Sequence, residues 1–395
     1  MIMRCEVCGS DEVLPVLDLG NQPLCDDLIP IGFESQSILY PLQINLCKCC
    51  NTALQVFNVP KHTLFPSNYH YRARNTPSVL KSFEELVNSL KDGFIESMSG
   101  KKILDIGCND GSLLDCFFAS GAITYGIDPT GAAKEAADNH IILNEYFSPF
   151  SARTLKELIG GFPDIITFTN CFAHIEKMHE LITSLSCLMG PDTLVVIENH
   201  YLKSVLERNQ FDTFYHEHPR TYSIKSFEII SDLLGASLLF AERTQRYGGN
   251  IRVYISRNYG LKQHPYLQDE FDFLNAFNTM ASFIPKWIHD KRAEIQRLAL
   301  SFGPMTGIAF PGRASILINL LSLTTNELAA TYEIKGSKKT GCYIPGTRIP
   351  ILPEHELFDS NNRPSTVLNL AWHIKDDVIR NLTKYNYNPN IISIL

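Results

Sequence analysis

The chain has 395 residues, 45% of them hydrophobic and 19% charged, with a formal net charge of −7. That length suits two or three domains around a sizeable core, and an acidic balance without a basic run speaks against nucleic acid as a partner. The amino terminus lacks the apolar core of a secretory signal, and runs such as LLGASLLFA fall short of the roughly 20 residues of a membrane helix, so a cytoplasmic protein without a membrane partner is expected.

Cysteine pairs open the chain. Cys5 and Cys8 in RCEVCGS, and Cys47 and Cys50 in INLCKCCNTA, form two C-x2-C pairs. Each pair suits a tight turn that aims two thiolates at one cation, and Gly9 fits such a turn. Two pairs complete a tetrahedral zinc site. The gap between them is longer than in a zinc finger, so a small ribbon-like module is expected over residues 1–70. With every ligand position filled, this zinc is structural. Cys25 and Cys49 are left as spare thiols.

Residues 102–128 read KILDIGCNDGSLLDCFFASGAITYGID. An apolar strand runs into a glycine-bearing turn and a helix, and a second strand ends in an acid. That is the opening β-α-β of a Rossmann-like domain, with Asp128 placed for a ribose diol. The turn is not a dinucleotide fingerprint, because Gly107 and Gly111 stand three residues apart and Asp105 and Asp110 crowd it. Two carboxylates repel a pyrophosphate but suit a ligand bearing an ammonium and a sulfonium, namely S-adenosylmethionine (SAM). The pattern D-x-G-x-x-x-G resembles class I methyltransferases. In that reading Asp105 and Gly107 lie by the methionine moiety, Asn109 and Gly111 complete the turn, and Phe147 in NEYFS meets the adenine. DIITFTNCFAHI (164–175) is a further strand running into a methyl-facing loop that begins at Asn170. DTLVVIENHY and a hairpin bent at Gly248–Gly249 finish a domain spanning residues 71–260.

Residues 211–223, FDTFYHEHPRTYS, concentrate titratable groups. Methyl transfer to carbon needs a base beside a carbonyl and a group near the developing oxyanion. Tyr215, His216, Glu217 and His218 are the candidates. An extended segment pairs Tyr215 with Glu217 and His216 with His218, whereas a turn gathers Tyr215, Glu217 and His218. Histidine and glutamate also bind metals, but this chemistry needs none.

Past residue 261 the sequence predicts one or two long helices over 269–300. A second α/β unit through 395 follows, without a dinucleotide fingerprint. Arg313, at a strand-to-helix turn, is placed to meet a phosphate. Trp372 and His373 end a strand and are expected at an interdomain cleft.

Taken in order, the paired cysteines, YHYRARNTPS (69–78), the glycine turn, NCFAHI, FDTFYHEHPRTYS, GGNIRVYISR, FPGRASILINLLSL, GCYIPGTRIPI and LNLAWHIKDDVI resemble the three-domain sugar C-methyltransferases across essentially the whole chain. The resemblance implies an α/β fold with a class I methyltransferase Rossmann-like core, a small amino-terminal zinc-binding module and a carboxyl-terminal Rossmann-like α/β domain. It also implies SAM as methyl donor, a nucleoside-diphosphate keto-deoxysugar as substrate, and methylation most commonly at C-3 beside a 4-ketone. His218 then matches the general base, Tyr215 and Glu217 orient it and contact the sugar, and His174 and Tyr71 line the same pocket. Two stretches depart from the family pattern, RARNTPS and FPGRAS (where many members have GAPAKG), and both bear on substrate choice. A monomer or homodimer is expected. The alternatives are an O- or N-methyltransferase on a sugar or small metabolite, which leaves most of the acid–base cluster without a task, and a non-catalytic zinc- and SAM-binding module.

Overall fold

The computed structural model describes residues 4–136, 138–258, 270, 272–360 and 362–395; the boundary expected at 260/261 lies outside them. Its strands are β1 (Val13–Pro23), β2 (Leu39–Cys47), β3 (Ala53–Gln55), β4 (Lys102–Ile106), β5 (Ile123–Ile127), β6 (Ile141–Leu143), β7 (Ile165–Thr169), β8 (Leu194–His200), β9 (Arg220–Thr221), β10 (Ser237–Thr244) and β11 (Asn250–Ser256). After the linking helix come β12 (Met305–Ile308), β13 (Leu328–Glu333), β14 (Cys342–Tyr343), β15 (Pro350–Pro353), β16 (Thr366–Asn369) and β17 (Asn390–Ser393).

The first sheet has the order β1-β2-β3-β9. Its last strand comes from the histidine-rich stretch, with Ala53 opposite Thr221 and Leu54 opposite Arg220. The amino-terminal module is thus closed by two residues from the middle of the chain.

The central sheet has the order β10-β11-β8-β7-β4-β5-β6. β4 through β8 run parallel, and β11 is antiparallel to both β8 and β10. KILDI, ITYGI and IITFT are apolar runs without alternation, and nearly every residue is buried. Strands covered on both faces require that pattern. The helix Pro77–Gly93 starts on a proline at its first position and buries Val79, Phe83, Leu86, Val87 and Leu90 at helical spacing. Helices Pro149–Ile159 and Ile224–Leu233 each begin with a reciprocal serine cap, Ser148 with Ser151 and Ser223 with Ser226.

One continuous helix, Phe273–Phe302, links to the last sheet; Asp272 caps its start and Gly303, at φ 85°, ends it. The last sheet has the order β14-β15-β13-β12-β16-β17 and is parallel except for β14. In the two large sheets the first strand, β4 or β12, has its successors on opposite sides. Such switch points open a crevice at the strands' carboxyl ends, where α/β folds bind ligands.

Candidate active site

Both crevices open into a single cavity of about 840 Å³, large for a small-molecule site. Its wall includes the ends of β4, β5, β7 and β8 on one side and residues following β12, β13 and β16 on the other. Two ligands that must react with one another can therefore be held from opposite sheets.

The four paired cysteines lie outside this cavity. Cys5 Sγ is 3.4 Å from Cys50 Sγ, Cys8 Sγ is 3.5 Å from Cys47 Sγ, and all four sulfurs lie within 4.8 Å of one another. Tetrahedral zinc with Zn–S bonds of about 2.3 Å sets sulfurs about 3.8 Å apart, so the donor set fits. From this centre the module reaches the histidine stretch. The Cys50 carbonyl accepts bonds from Ser223 and Ser226 Oγ, each 3.1 Å. Gln55, on β3, donates from Nε2 to the carbonyls of Tyr215 and His218 at 2.6 and 2.8 Å.

On the central-sheet side, Gly107 turns at φ +74°, and a Cβ there would stand 2.4 Å from Cys171 Sγ, so only glycine fits. Asp128 accepts from the Asn109 N–H at 3.1 Å, and Asn109 in turn bonds Ala73 and Tyr71 across the turn. Asp105 is buried and accepts from Thr167 Oγ1 at 2.6 Å; burial, with Asp128 nearby, pushes its carboxyl up to about 7. Asn170, at φ 54°, accepts from Asn250 while its own Nδ2 lacks a partner among the described residues. Phe147 meets Phe168 edge-on at 6.0 Å and lines the cavity. Gly111 stops short of the wall, where a Cβ would crowd Ala136 at 2.7 Å; its task is packing. Paired carboxylates, a glycine turn and an orphaned amide suit SAM and offer no pyrophosphate cradle.

The histidine stretch forms a turn, closed by a bond from the His218 N–H to the Tyr215 carbonyl at 2.8 Å. Tyr215, Glu217 and His218 line the cavity, whereas His216 bonds the Pro41 carbonyl in the zinc module. Phe211 and Phe214 anchor the turn against Trp287 and Phe277 of the long helix, with ring centroids 5.0 and 5.8 Å apart. His218 Nδ1 lies 3.0 Å from the Thr213 carbonyl and His174 Nδ1 lies 2.7 Å from the Glu217 carbonyl. A carbonyl only accepts, so both Nδ1 atoms carry hydrogen, which in a neutral His218 leaves its Nε2 bare. Burial, then the neighbouring His174, holds His218 well below the usual histidine range. Burial, then Asp26, pushes Glu217 well above the carboxylate range, and Tyr69 donates to its Oε2 at 3.3 Å. Tyr71 Oη is 2.7 Å from Tyr247 Oη.

Several cavity groups escape sequence reasoning. His200, at the end of β8, has its ring 4.9 Å from that of His218; its place at a strand's carboxyl end is the signal that could have found it. Tyr247 and Asp26 also line the wall, and Asp26 Oδ1 is 3.3 Å from His70 Nε2. Arg313 lines the cavity and its Nη1 has no partner among the described residues, while the rest of its guanidinium is engaged. Its guanidinium grips both oxygens of Asp212 at 2.7 and 2.9 Å and lies 5.1 Å over Trp372, whose Nε1 also donates to Asp212. Trp372 stands behind the wall, while its neighbour His373 lines it.

Three family models match in succession: a zinc binding domain over residues 5–65, a methyltransferase domain over 80–238 and a C-methyltransferase C-terminal domain over 245–391. The C-methyltransferase NovU of Streptomyces niveus is 25% identical over 403 aligned positions, covering 98% of this chain and 94% of that one. A ubiquinone biosynthesis O-methyltransferase of Haemophilus ducreyi is 28% identical over 134 positions, 31% of this chain and 57% of that protein. Magnesium protoporphyrin IX methyltransferase from Synechocystis PCC 6803, solved with SAM, superposes over 45% of this chain and 79% of that one with TM-score 0.34 and 16% identity, a likeness too slight to bear on function.

Proposed function

We propose that this chain, matched in succession by the three domain models and along its length by a C-methyltransferase, is a SAM-dependent C-methyltransferase. Its acceptor is a nucleoside-diphosphate keto-deoxysugar, methylated at the carbon beside its ketone, C-3 next to a 4-ketone. The observation that carries the reading is a buried, neutral His218 with its bare Nε2 in a cavity whose other side holds Lys335, Lys338, Lys339, Arg380 and Lys384. A base among neutral hydrogen-bond donors suits a carbon acid. The cations suit a diphosphate.

In this mechanism His218 Nε2 takes the proton from the carbon alpha to the ketone. The C–H electron pair moves into the ring carbon's π system and negative charge collects on the ketone oxygen. Glu217, held as an acid, and Tyr71, whose phenol burial also keeps protonated, are the donors for that oxygen. A charged carboxylate there would oppose the developing enolate; a neutral acid stabilises it. His174 and His200, both neutral through burial, flank the base without repelling the proton it gains. Bound SAM supplies an electrophilic methyl group on a positively charged sulfur. The enolate carbon, kept from water by the cavity wall, takes that methyl group. The new carbon–carbon bond forms as the methyl–sulfur bond breaks, and the electron pair of the broken bond stays on sulfur to leave S-adenosylhomocysteine. His218 afterwards returns its proton to solvent.

The test is mass spectrometry after incubation with SAM and a panel of dTDP- and GDP-linked 4-keto-deoxysugars. One panel member should gain a single carbon-bound methyl group. In deuterium oxide without SAM it should exchange its alpha proton, and His218→Ala should lose that exchange. Methylation confined to oxygen or nitrogen, or exchange untouched in the variant, counts against this reading.

A further inference from the structure

The geometry points to Arg246 as the receptor for the α-carboxylate of SAM, acting with the amino end of the helix Pro77–Gly93. The assignment rests on the methyl donor and is independent of which acceptor the enzyme methylates.

Arg246 follows β10, and its side chain is only 6% exposed, yet it lines the cavity. Its guanidinium lies between two rings, 4.9 Å from the centroids of both Phe83 and Tyr247. Its Nε and Nη1 have no hydrogen-bond partner among the described residues. Glu198 does not supply one, because its Oε1 stands 3.7 Å from Nη1. That carboxylate is already held by Arg252, at 2.9 Å from Nε and 2.8 Å from Nη2, and by Asn250 at 3.2 Å. A buried cation with unpaired N–H groups is costly, and native structures keep such a group where a ligand completes it.

The surroundings identify that ligand's chemistry. Asn75, Thr76 and Pro77, at the start of the 17-residue helix Pro77–Gly93, line the same part of the cavity, and Thr76 makes no side-chain cap. Phe83, beneath Arg246, belongs to this helix. The positive end of the helix dipole favours an anion beside the guanidinium. Asp105, close enough for Arg246 to lower its affinity for a proton, stands on the adjoining wall beside the Gly107 turn, where its carboxyl oxygens can accept from an ammonium. A carboxylate next to an ammonium is an amino-acid zwitterion, and planar guanidinium recognises a carboxylate through paired bonds. Within SAM, only the methionine tail carries both groups.

Calorimetry on the zinc-loaded full chain can compare S-adenosylhomocysteine, which retains the tail, with 5′-methylthioadenosine, which lacks it. Arg246→Met should weaken S-adenosylhomocysteine roughly 10- to 100-fold and leave 5′-methylthioadenosine unchanged within about threefold. Should this variant lose its zinc or its melting transition, Arg246→Gln and Arg246→Lys carry the same comparison. Equal weakening of both ligands, or none of either, overturns the assignment. A wild-type chain that binds neither would sink the methyl-donor reading itself, which is a different result.

Discussion

His218 donates from Nδ1 to the carbonyl of Thr213, five residues back, at 3.0 Å. Because the acceptor is main chain, no side-chain titration can switch the tautomer, which leaves Nε2 for the proton abstraction we propose. In that role His218 works neutral, and its neutral fraction is lost as pH falls through its folded-state pKa. Burial, then His174 and Arg313, places that pKa well below 6.5. The expected profile of kcat/KM therefore stays flat from neutral down through the ordinary histidine range and falls only at lower pH. His218→Asn should lose about 10²- to 10⁴-fold in turnover. An acid limb centred at or above 6.5 in the wild type would assign the base elsewhere.

The zinc module holds the turn that carries His218, the proposed base. Cys50 supplies a thiolate to the metal set while its carbonyl holds Ser223 and Ser226, and Gln55 holds the carbonyls of Tyr215 and His218. Stripping the metal releases β3 and with it the turn, whereas the cofactor side rests on β4, β5 and β7. Chelation should thus reduce turnover by about 100-fold or more, the scale of a misplaced catalytic group, with S-adenosylhomocysteine affinity nearly unchanged by calorimetry. Parallel loss of both would show that the metal supports the whole molecule and not this turn.

The parts legible in the sequence are those whose partners lie close along the chain. The cysteine pairs and GCNDG announce themselves because a turn must satisfy local geometry. The HEH stretch shows its chemistry but not its shape; only the bond from His218 N–H to Tyr215 O decides that His216 turns away. β9 is two residues long and has no periodicity to detect. His200, at the end of β8, and Tyr247, in the turn between β10 and β11, meet at stacked rings 5.8 Å apart, and Asp26 arrives from the zinc module. No spacing rule links them. The Arg313 contact is hidden for the same reason, since its partner Asp212 lies 101 residues earlier in the chain.

That Arg313–Asp212 pair is a buried, bidentate contact between the carboxyl-terminal domain and the histidine-rich stretch, with Asp212 fully buried and Trp372 completing it. Removing one charge leaves the other without water or partner. Arg313→Ala should cost about 3–5 kcal/mol in denaturant unfolding. Arg313→Met combined with Asp212→Leu should cost clearly less than the two single changes summed, as apolar groups replace the pair. Additive losses would mean that the two residues contribute separately.

Glu217 lies in the field of Asp26. Burial, then that neighbouring carboxyl, pushes Glu217 well above the usual carboxylate range, and His70, kept neutral by burial, has its Nε2 3.3 Å from Asp26 Oδ1. Glu217 therefore holds its proton. Cys25, Tyr69 and Tyr215, which also face this group, stay protonated through burial, and Lys339 is its nearest opposing charge. If the neutral acid is the working form, activity falls as pH rises through the raised pKa of Glu217. Asp26→Asn removes the like charge and should move this alkaline limb down by about one pH unit or more. Glu217→Gln, fixed in a neutral form, should keep activity within about tenfold of wild type and lose the limb, whereas Glu217→Ala should lose more. An unmoved limb in Asp26→Asn, or a glutamine variant as inactive as the alanine one, would leave Glu217 working as a carboxylate.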